Sequence, residues 1–354
     1  MPITVSDLPS ELSAAFGGGW FTKYVNVFGL NIVARPNVPN EKIIHAAGVM
    51  AQYLDNDEDG VPDDLLLVEF LYDKKASLVM FADQADADAN LPPININGLL
   101  NMINIGLGIG VDNLQDLQGS ETIPNSISLD AYKHRTDGGV YTEERFDASL
   151  EEVLHLITHA GVSQKYPSVF GEGDSELSSL IDNLNGNCGW GYEGDYKSPS
   201  GGECTGFYAY RDETCDYQCT QTEGIYWSLS TILGAQNYTS RLDGIADEWA
   251  IGEPEEFKEN AAGIHTLLTS YGEHSWLPRT LPNGRYQGTL PVARINGVFD
   301  YATVIVTCFS LGVVASIAWC CICFKRGCPC EDRAGDDELR VKLEIVARRD
   351  VDSL

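Results

Sequence analysis

The sequence contains few basic residues. Its 354 residues include 23 Lys and Arg against 52 Asp and Glu, which gives a formal net charge of −29 at pH 7. A nucleic-acid-binding surface requires the opposite charge, so this composition excludes nucleic acid as a partner. Low-complexity tracts are also missing, and the hydrophobic content of 44% is typical of a folded domain.

One long segment, Tyr301–Phe324, lacks any charge. At about 1.5 Å per residue a helix of this length spans roughly 36 Å, more than the hydrocarbon core of about 30 Å. Lys325 and Arg326 follow it, so the positive-inside bias predicts a single-pass protein of the plasma membrane or an endomembrane. The predicted organisation is an acidic extracellular or lumenal domain (1–290), a linker (291–300), a transmembrane helix (301–324) and a cytoplasmic tail (325–354).

A secretory leader is also missing, because no basic segment with a following apolar run precedes Lys23. We expect either an unrecognised or missing leader, or insertion after synthesis through the C-terminal span. Export agrees with a glycosylation sequon at Asn237. Gly312 and Ser316 have the small-xxx-small spacing that favours a homodimer through the transmembrane helix. S-acylation is predicted at five cysteines next to the membrane: Cys320, Cys321, Cys323, Cys328 and Cys330.

Four further cysteines lie close together in the predicted ectodomain. Clustered cysteines in an exported domain predict two disulfides, and the sequence leaves all three pairings open. The alternative is a zinc site, which the spacing disfavours because this group lacks a CxxC pair. These cysteines are Cys188, Cys204, Cys215 and Cys219.

The order of predicted elements indicates an α+β ectodomain that is mainly helical in its second half. β-branched and aromatic residues predict one strand over 23–34 and another over 76–82. Apolar residues at helical spacing predict the helices. These cover 40–54, 65–72, 146–160, 175–185, 222–233 and 240–251.

An acidic loop over residues 55–64 is the strongest motif. Carboxylates occupy positions 1, 3, 5 and 9, and Gly60 at position 6 allows a sharp turn. The candidate calcium ligands are Asp55, Asp57, Asp59, the Val61 carbonyl and Asp63. Position 12 is Leu66 instead of the bidentate Glu of an EF-hand. The loop resembles the DxDxDGxxD loops of thrombospondin type 3 repeats and short EF-hand-like modules, which implies a structural calcium ion; a solvated acidic loop is the alternative.

The helix predicted over 146–160 carries a second candidate site. Its Glu151-Glu152-Val153-Leu154-His155 segment resembles the zincin HExxH motif with Glu in place of the first His. This implies Glu151 and His155 as ligands of zinc or another divalent metal, and Glu152 as the base. In the alternative register His155 and His159 are the ligand pair, but Leu156 then stands where the base belongs.

A metal on this helix needs a third ligand. Glu223 is the first candidate and Glu176 the second. Replacing His by Glu shifts the preference from zinc towards harder ions. The third possibility is a polar helix face without metal.

The EExxH helix and the DNDxDG loop together resemble an uncharacterised group of exported proteins, and this resemblance implies no activity. We therefore predict a membrane glycoprotein whose calcium-stabilised, disulfide-bonded ectodomain is a surface binding or structural module. The alternative is a zincin-like metallohydrolase, a peptidase, with Glu152 as its base.

Overall fold

The computed structural model describes residues 2–13, 16, 20–90, 113–123, 147–237 and 241–291. All of them belong to the first of two units, Met1–Phe299. The second unit, Asp300–Leu354, lies outside the described residues, as do the predicted transmembrane segment, the cytoplasmic tail and the five S-acylation cysteines.

A mixed sheet of five strands in the order β1-β2-β3-β4-β5 forms the first half of the described domain. β1–β2 and β2–β3 are antiparallel, whereas β3–β4 and β4–β5 are parallel. Every residue of β4 is buried, which is typical of a central parallel strand. The strands are β1 (Ser6–Asp7), β2 (Lys23–Val27), β3 (Leu30–Ala34), β4 (Ser77–Phe81) and β5 (Leu114–Gln118).

The strand predicted over 23–34 is a hairpin in the structure. Phe28 and Gly29 have φ angles of 50° and 95° and form the turn between β2 and β3. Asn26 Oδ1 accepts a hydrogen bond from the Gly29 N–H at 2.9 Å. A two-residue turn with both φ angles positive suits the twist of a hairpin. Because the first residue of this turn is a Phe, the apolar pattern of the sequence continues through the turn and does not indicate it.

Helices surround the sheet and form the second half of the domain. α2 and α3 connect β3 to β4, because parallel neighbours require a crossover. α5 packs against α2, β5 and α9 and joins the two halves through one apolar core. The helices are α1 (Ser10–Ser13), α2 (Asn40–Leu54), α3 (Leu65–Asp73), α4 (Gln84–Asn90), α5 (Ser149–Ile157), α6 (Ser163–Lys165), α7 (Pro167–Phe170), α8 (Glu176–Asn185), α9 (Tyr217–Ile232), α10 (Arg241–Ile245), α11 (Pro254–Asn260) and α12 (Ala262–Leu268).

The helix predicted over 146–160 is observed as α5, which continues into a π-helical turn at Thr158–Val162. Gly161 lies inside that turn and does not end the helix. A Cβ on Gly161 would stand 2.8 Å from Leu71 Cδ2, so the glycine allows α3 to pack closely against the turn.

The predicted fold class, an α+β domain followed by one transmembrane helix, is wrong. Parallel pairing of β3 with β4 and of β4 with β5 makes this a mixed α/β fold. Within the described ranges, no helix is long and apolar enough to cross a membrane. The segment 301–324, on which that part of the prediction rested, is not among the described residues.

Two disulfides lie between α8 and the first turn of α9. Cys188 pairs with Cys204 and Cys215 with Cys219, at sequence separations of 16 and 4. This is one of the three pairings that the sequence left open.

Because a crosslink restricts the unfolded chain more when its loop is longer, the two disulfides should differ in effect. Replacing Cys188 and Cys204 by Ala should lower the free energy of unfolding by about 3 kcal/mol, and replacing Cys215 and Cys219 by about 2 kcal/mol. Chemical denaturation measures both values. Peptide mapping after alkylation of the denatured chain should find none of these four thiols free, and two or more alkylated sites among them would contradict the pairing.

Candidate metal centres

The acidic loop joins α2 to α3, and Asp55 at the end of α2 is its centre. Asp55 is 0% exposed. Its Oδ2 accepts a hydrogen bond from the Gly60 N–H at 2.8 Å, and its Oδ1 accepts one from the Asp59 N–H at 3.2 Å. The backbone therefore folds around this carboxylate, which explains why the loop turns so sharply after α2.

Three aspartates of the loop converge. Asp55, Asp57 and Asp59 each offer a carboxylate oxygen, and the three oxygens all lie within 4.8 Å of one another. Gly60 has a φ of 92°, and a Cβ there would be 3.1 Å from the Thr289 carbonyl oxygen. Only glycine meets both requirements without strain, so the predicted role of Gly60 has a direct structural reason.

Asp63, another predicted calcium ligand, is not part of this group of three carboxylates. Asp63 Oδ2 accepts a hydrogen bond from the Asn56 N–H at 2.7 Å and closes the loop at its base. The Val61 N–H donates to Asp59 Oδ1 at 2.8 Å and orients that carboxylate. Leu66, at position 12, offers no side-chain oxygen.

The last described residues cover the loop; we call residues 279–289 the closing segment. The Tyr286 hydroxyl donates to Asp55 Oδ2. The Arg279 N–H donates to Asn56 Oδ1 at 2.8 Å, and the Gln287 N–H donates to Glu58 Oε2 at 2.6 Å. Sequence reasoning missed this segment because it lies more than 220 positions along the chain from the loop.

Repulsion and burial both act on the loop carboxylates. Burial raises the pKa of Asp55 to about 7, and the nearby Asp57 and Asp59 add to the rise, against hydrogen bonds from Tyr286 and Gly60 that lower it. Burial also raises the pKa of Asp63. Burial and the neighbouring carboxylates thus both oppose the ionised form of Asp55.

The second group, which we call the histidine cluster, consists of Glu151 and His155 on α5 and Glu223 on α9. Each contributes one ligand atom, and these atoms lie within 4.8 Å of one another. Glu151 and His155 are four residues apart and therefore lie on neighbouring turns of one helix face. The sequence proposed all three residues, and the structure brings them together.

Two atoms of the histidine cluster are buried without a hydrogen-bond partner: His155 Nε2 and Glu223 Oε2. They lie 3.5 Å apart, and their residues are only 5% and 8% exposed. The other oxygen of Glu223, Oε1, accepts a hydrogen bond from the Tyr210 hydroxyl at 3.3 Å. The two atoms therefore face each other in the interior and are joined only by this long ion-pair contact.

Glu152 lies beside the cluster rather than in it. Its Oε2 is 3.7 Å from His155 Nδ1 and accepts a hydrogen bond from Gln115 Nε2 at 2.5 Å. The Glu152 side chain remains 27% exposed. Gln115 belongs to β5, so the sheet positions this carboxylate, a role that no sequence pattern indicated.

The carboxyl groups around His155 affect one another. Burial raises the pKa of Glu151 to about 8, with a further rise from Glu223. Burial lowers the pKa of His155, but the surrounding carboxylates, Glu223 foremost, raise it to about 10. Burial, and then Glu223, raise the pKa of Glu248 to about 7. Acidic groups thus outnumber the cationic ones here, because only His155 and Arg241 oppose the rise in these pKa values.

Neither His159 nor Glu176 joins the cluster. His159 Nδ1 contacts both oxygens of Glu172 at 2.8 Å, and Glu172 Oε1 also accepts a hydrogen bond from the Thr222 hydroxyl at 2.8 Å. Glu176 is exposed at the start of α8. His155 is therefore grouped with Glu151 and Glu223, and His159 lies with Glu172 instead.

Sequence reasoning also missed a buried pair of His45 and Asp147. His45 Nε2 lies 2.5 Å from Asp147 Oδ2, and Asp147 Oδ1 accepts a hydrogen bond from the Ser149 hydroxyl at 2.7 Å. The pair joins α2 to the start of α5 over 102 positions of sequence, a distance that no local motif reveals.

Asn237, the predicted glycosylation site, lies just after α9. Its Nδ2, the atom to which a glycan is attached, donates a hydrogen bond to Glu253 Oε2. Glycosylation of Asn237 remains a prediction.

No protein-family model, curated protein or solved structure matches the chain. The resemblance to exported proteins therefore stays an expectation, and a zincin-like fold has no support beyond the EExxH spacing.

The contact between Tyr286 and Asp55 should stabilise the fold. Tyr286→Phe removes a donor from a buried carboxylate, and we expect it to lower the free energy of unfolding by about 1–3 kcal/mol. Tyr192→Phe is the matched control, because the Tyr192 hydroxyl contacts Glu193 at 3.4 Å in solvent, and it should change stability by less than about 0.5 kcal/mol. Equal effects of the two variants in urea denaturation would contradict this role.

Proposed function

We propose that the described domain is a calcium-stabilised surface binding or structural module. The observation that carries the proposal is the convergence of the Asp55, Asp57 and Asp59 carboxylates within 4.8 Å around a glycine turn. Calcium prefers oxygen ligands, and alternate acidic residues in a short loop supply them. The donor set contains oxygen only, which suits calcium better than zinc.

Hydrogen bonds within the loop do not account for its composition. Asp57 Oδ1 and Asp59 Oδ1 each accept a backbone N–H two residues further on, at 3.2 and 2.8 Å. Asn or Ser side chains form such turns without adding charge. Five acids within residues 55–59 and 63 therefore serve another purpose, and binding a divalent cation offsets their repulsion.

Calcium acts on the domain through the closing segment. The loop contacts that segment through Asn56, Glu58 and Asp55, so an ion that fixes the loop also fixes the surface against which the segment packs. Binding to the folded state adds RT ln(1 + [L]/Kd) to its stability. The proposed role of calcium is thus structural, and the binding partner of the module is an unidentified ligand.

The loop proposal predicts a calcium-dependent melting temperature. Asp57→Ala with Asp59→Ala should lower the melting temperature in calcium and abolish the difference between calcium and chelator. At a free calcium concentration 100 times Kd, wild-type protein should gain about 2.7 kcal/mol from the ion. Differential scanning calorimetry of the full chain measures both effects.

A matched control removes the same charge elsewhere. Glu256→Ala with Glu259→Ala deletes two exposed carboxylates from α11 and should leave the calcium response at its wild-type size. A calcium response that persists in the Asp57/Asp59 variant would sink the assignment.

One observation favours a second function, metal-dependent hydrolysis. Glu152 borders the histidine cluster, and its side chain is exposed enough to meet a water molecule or a substrate. In this alternative, which requires a metal held by Glu151, His155 and Glu223, Glu152 removes a proton from water.

This alternative predicts that two substitutions affect hydrolysis and metal binding differently. Glu152→Gln should abolish hydrolysis of a generic peptide substrate such as casein even at a metal concentration that keeps the site saturated, because an amide cannot accept the proton. His155→Ala should lose both the bound metal and the hydrolysis. Unchanged hydrolysis in purified Glu152→Gln would exclude Glu152 as the base.

A further inference from the structure

We propose that Glu151, His155 and Glu223 bind one divalent transition-metal ion, at a centre separate from the calcium loop. The two sites share no residue: this centre lies between α5 and α9, whereas the loop lies between α2 and α3. The proposal therefore does not depend on calcium binding.

The spacing of the three ligand atoms suits a single ion. Metal–ligand distances of about 2.0–2.3 Å place pairs of ligand atoms on one ion between about 3 and 4.6 Å apart. The three atoms lie within 4.8 Å of one another, and His155 Nε2 is 3.5 Å from Glu223 Oε2. Small side-chain movements bring all three into coordination distance.

The weak contact between these two atoms gives an independent reason for a ligand at this point. A buried polar atom that lacks a hydrogen bond costs about 1–3 kcal/mol, and more when the group is charged. His155 Nε2 and Glu223 Oε2 make no hydrogen bond, in residues more than nine-tenths buried, and only an ion-pair contact of 3.5 Å joins them. A cation bound between them would coordinate both atoms in place of that contact.

The surroundings orient the ligands as metal sites require. Metal-bound histidines present their second ring nitrogen to a carboxylate or carbonyl, which fixes the ring. His155 Nδ1 faces Glu152 Oε2 at 3.7 Å, and Gln115 holds that carboxylate from β5. We therefore assign Glu152 as a positioning residue for His155 in this centre.

Tyr210 orients the Glu223 side chain, as Glu152 orients the His155 ring. Its hydroxyl donates to Oε1 at 3.3 Å and leaves Oε2 directed at the histidine. Tyr210 thus holds one oxygen of Glu223, and Glu152 faces one nitrogen of His155. The second atom of each group is directed at the position of the proposed ion.

The donor set defines the class of ion. Two carboxylate oxygens and one imidazole nitrogen suit Mn²⁺, Fe²⁺ or Zn²⁺ and lack the thiolates that soft ions prefer. The imidazole nitrogen also disfavours calcium, which takes oxygen ligands. We use Mn²⁺ and Zn²⁺ as probes.

The test measures metal bound by the full chain. The calcium-saturated protein is dialysed against Mn²⁺ or Zn²⁺, and the bound metal is quantified by inductively coupled plasma mass spectrometry. We expect one equivalent of the added metal in wild-type protein and at least a 100-fold weaker affinity in Glu223→Gln. Glu152→Gln should weaken binding by about 10- to 100-fold, as outer-shell changes do.

Two controls separate this centre from its neighbours. His159→Ala changes a histidine that contacts Glu172 and should bind the probe metal as wild type does. Asp57→Ala with Asp59→Ala should also retain the metal, so loss of the calcium site and loss of this centre are distinguishable. Wild-type affinity in Glu223→Gln, or no probe metal in the wild-type chain, would overturn the proposal.

A measurement on wild-type protein covers the case in which Glu223→Gln does not fold. X-ray absorption at the zinc edge of the zinc-loaded chain should show one imidazole among oxygen ligands. A shell with sulfur, or with no imidazole, would overturn the assignment independently of any variant.

Discussion

The stability of the fold depends on the hydrogen-bond donors and cations that offset an excess of carboxylates. The chain has 52 acidic side chains and 23 Lys and Arg, so ion pairs cannot accommodate them all. A carboxylate that enters the interior needs hydrogen-bond donors or a cation, because an unpaired buried charge is strongly destabilising. Asp55 is fully buried and is held by backbone N–H groups and the Tyr286 hydroxyl. Asp147 is held by His45 and Ser149.

The two candidate metal centres lie where such donors are insufficient. In the acidic loop, three aspartates converge around the end of α2. In the histidine cluster, one histidine faces two glutamates, and two buried atoms make no hydrogen bond. Both centres also hold the fold together: the loop meets the closing segment, and the cluster joins α5 to α9, with Gln115 reaching in from β5. Metal binding and domain stability are therefore coupled in this account.

Local patterns in the sequence predicted local structure well. The bounds of α2, 40–54, follow from the spacing of its apolar residues, and the acidic loop follows from its alternating carboxylates and Gly60. Both features are set by residues a few positions apart, where periodicity and turn chemistry act. Glu223 differs: it was proposed from its place at the opening of the helix after the cysteine cluster, and its contact with His155 joins distant parts of the chain.

Contacts between residues that are far apart along the chain could not be predicted from such local patterns. Parallel pairing of β3 with β4 decides the fold class. Ile32 and Leu78 are paired in it, but no sequence pattern indicates that they are partners. The closing segment, the pair of His45 and Asp147, and the contact between Gln115 and Glu152 likewise join residues that are distant along the chain. Tertiary packing selects these partners, so only the three-dimensional structure reveals them.

Anomalous X-ray diffraction from crystals of the full chain grown with calcium and Mn²⁺ tests the central claim most directly, because it locates each ion. We expect a manganese peak bounded by Glu151, His155 and Glu223, and a calcium peak bounded by Asp55, Asp57 and Asp59. Density showing neither ion, with the carboxylates of both groups hydrogen-bonded to water or protein alone, would contradict the claim that cations balance the excess of buried negative charge.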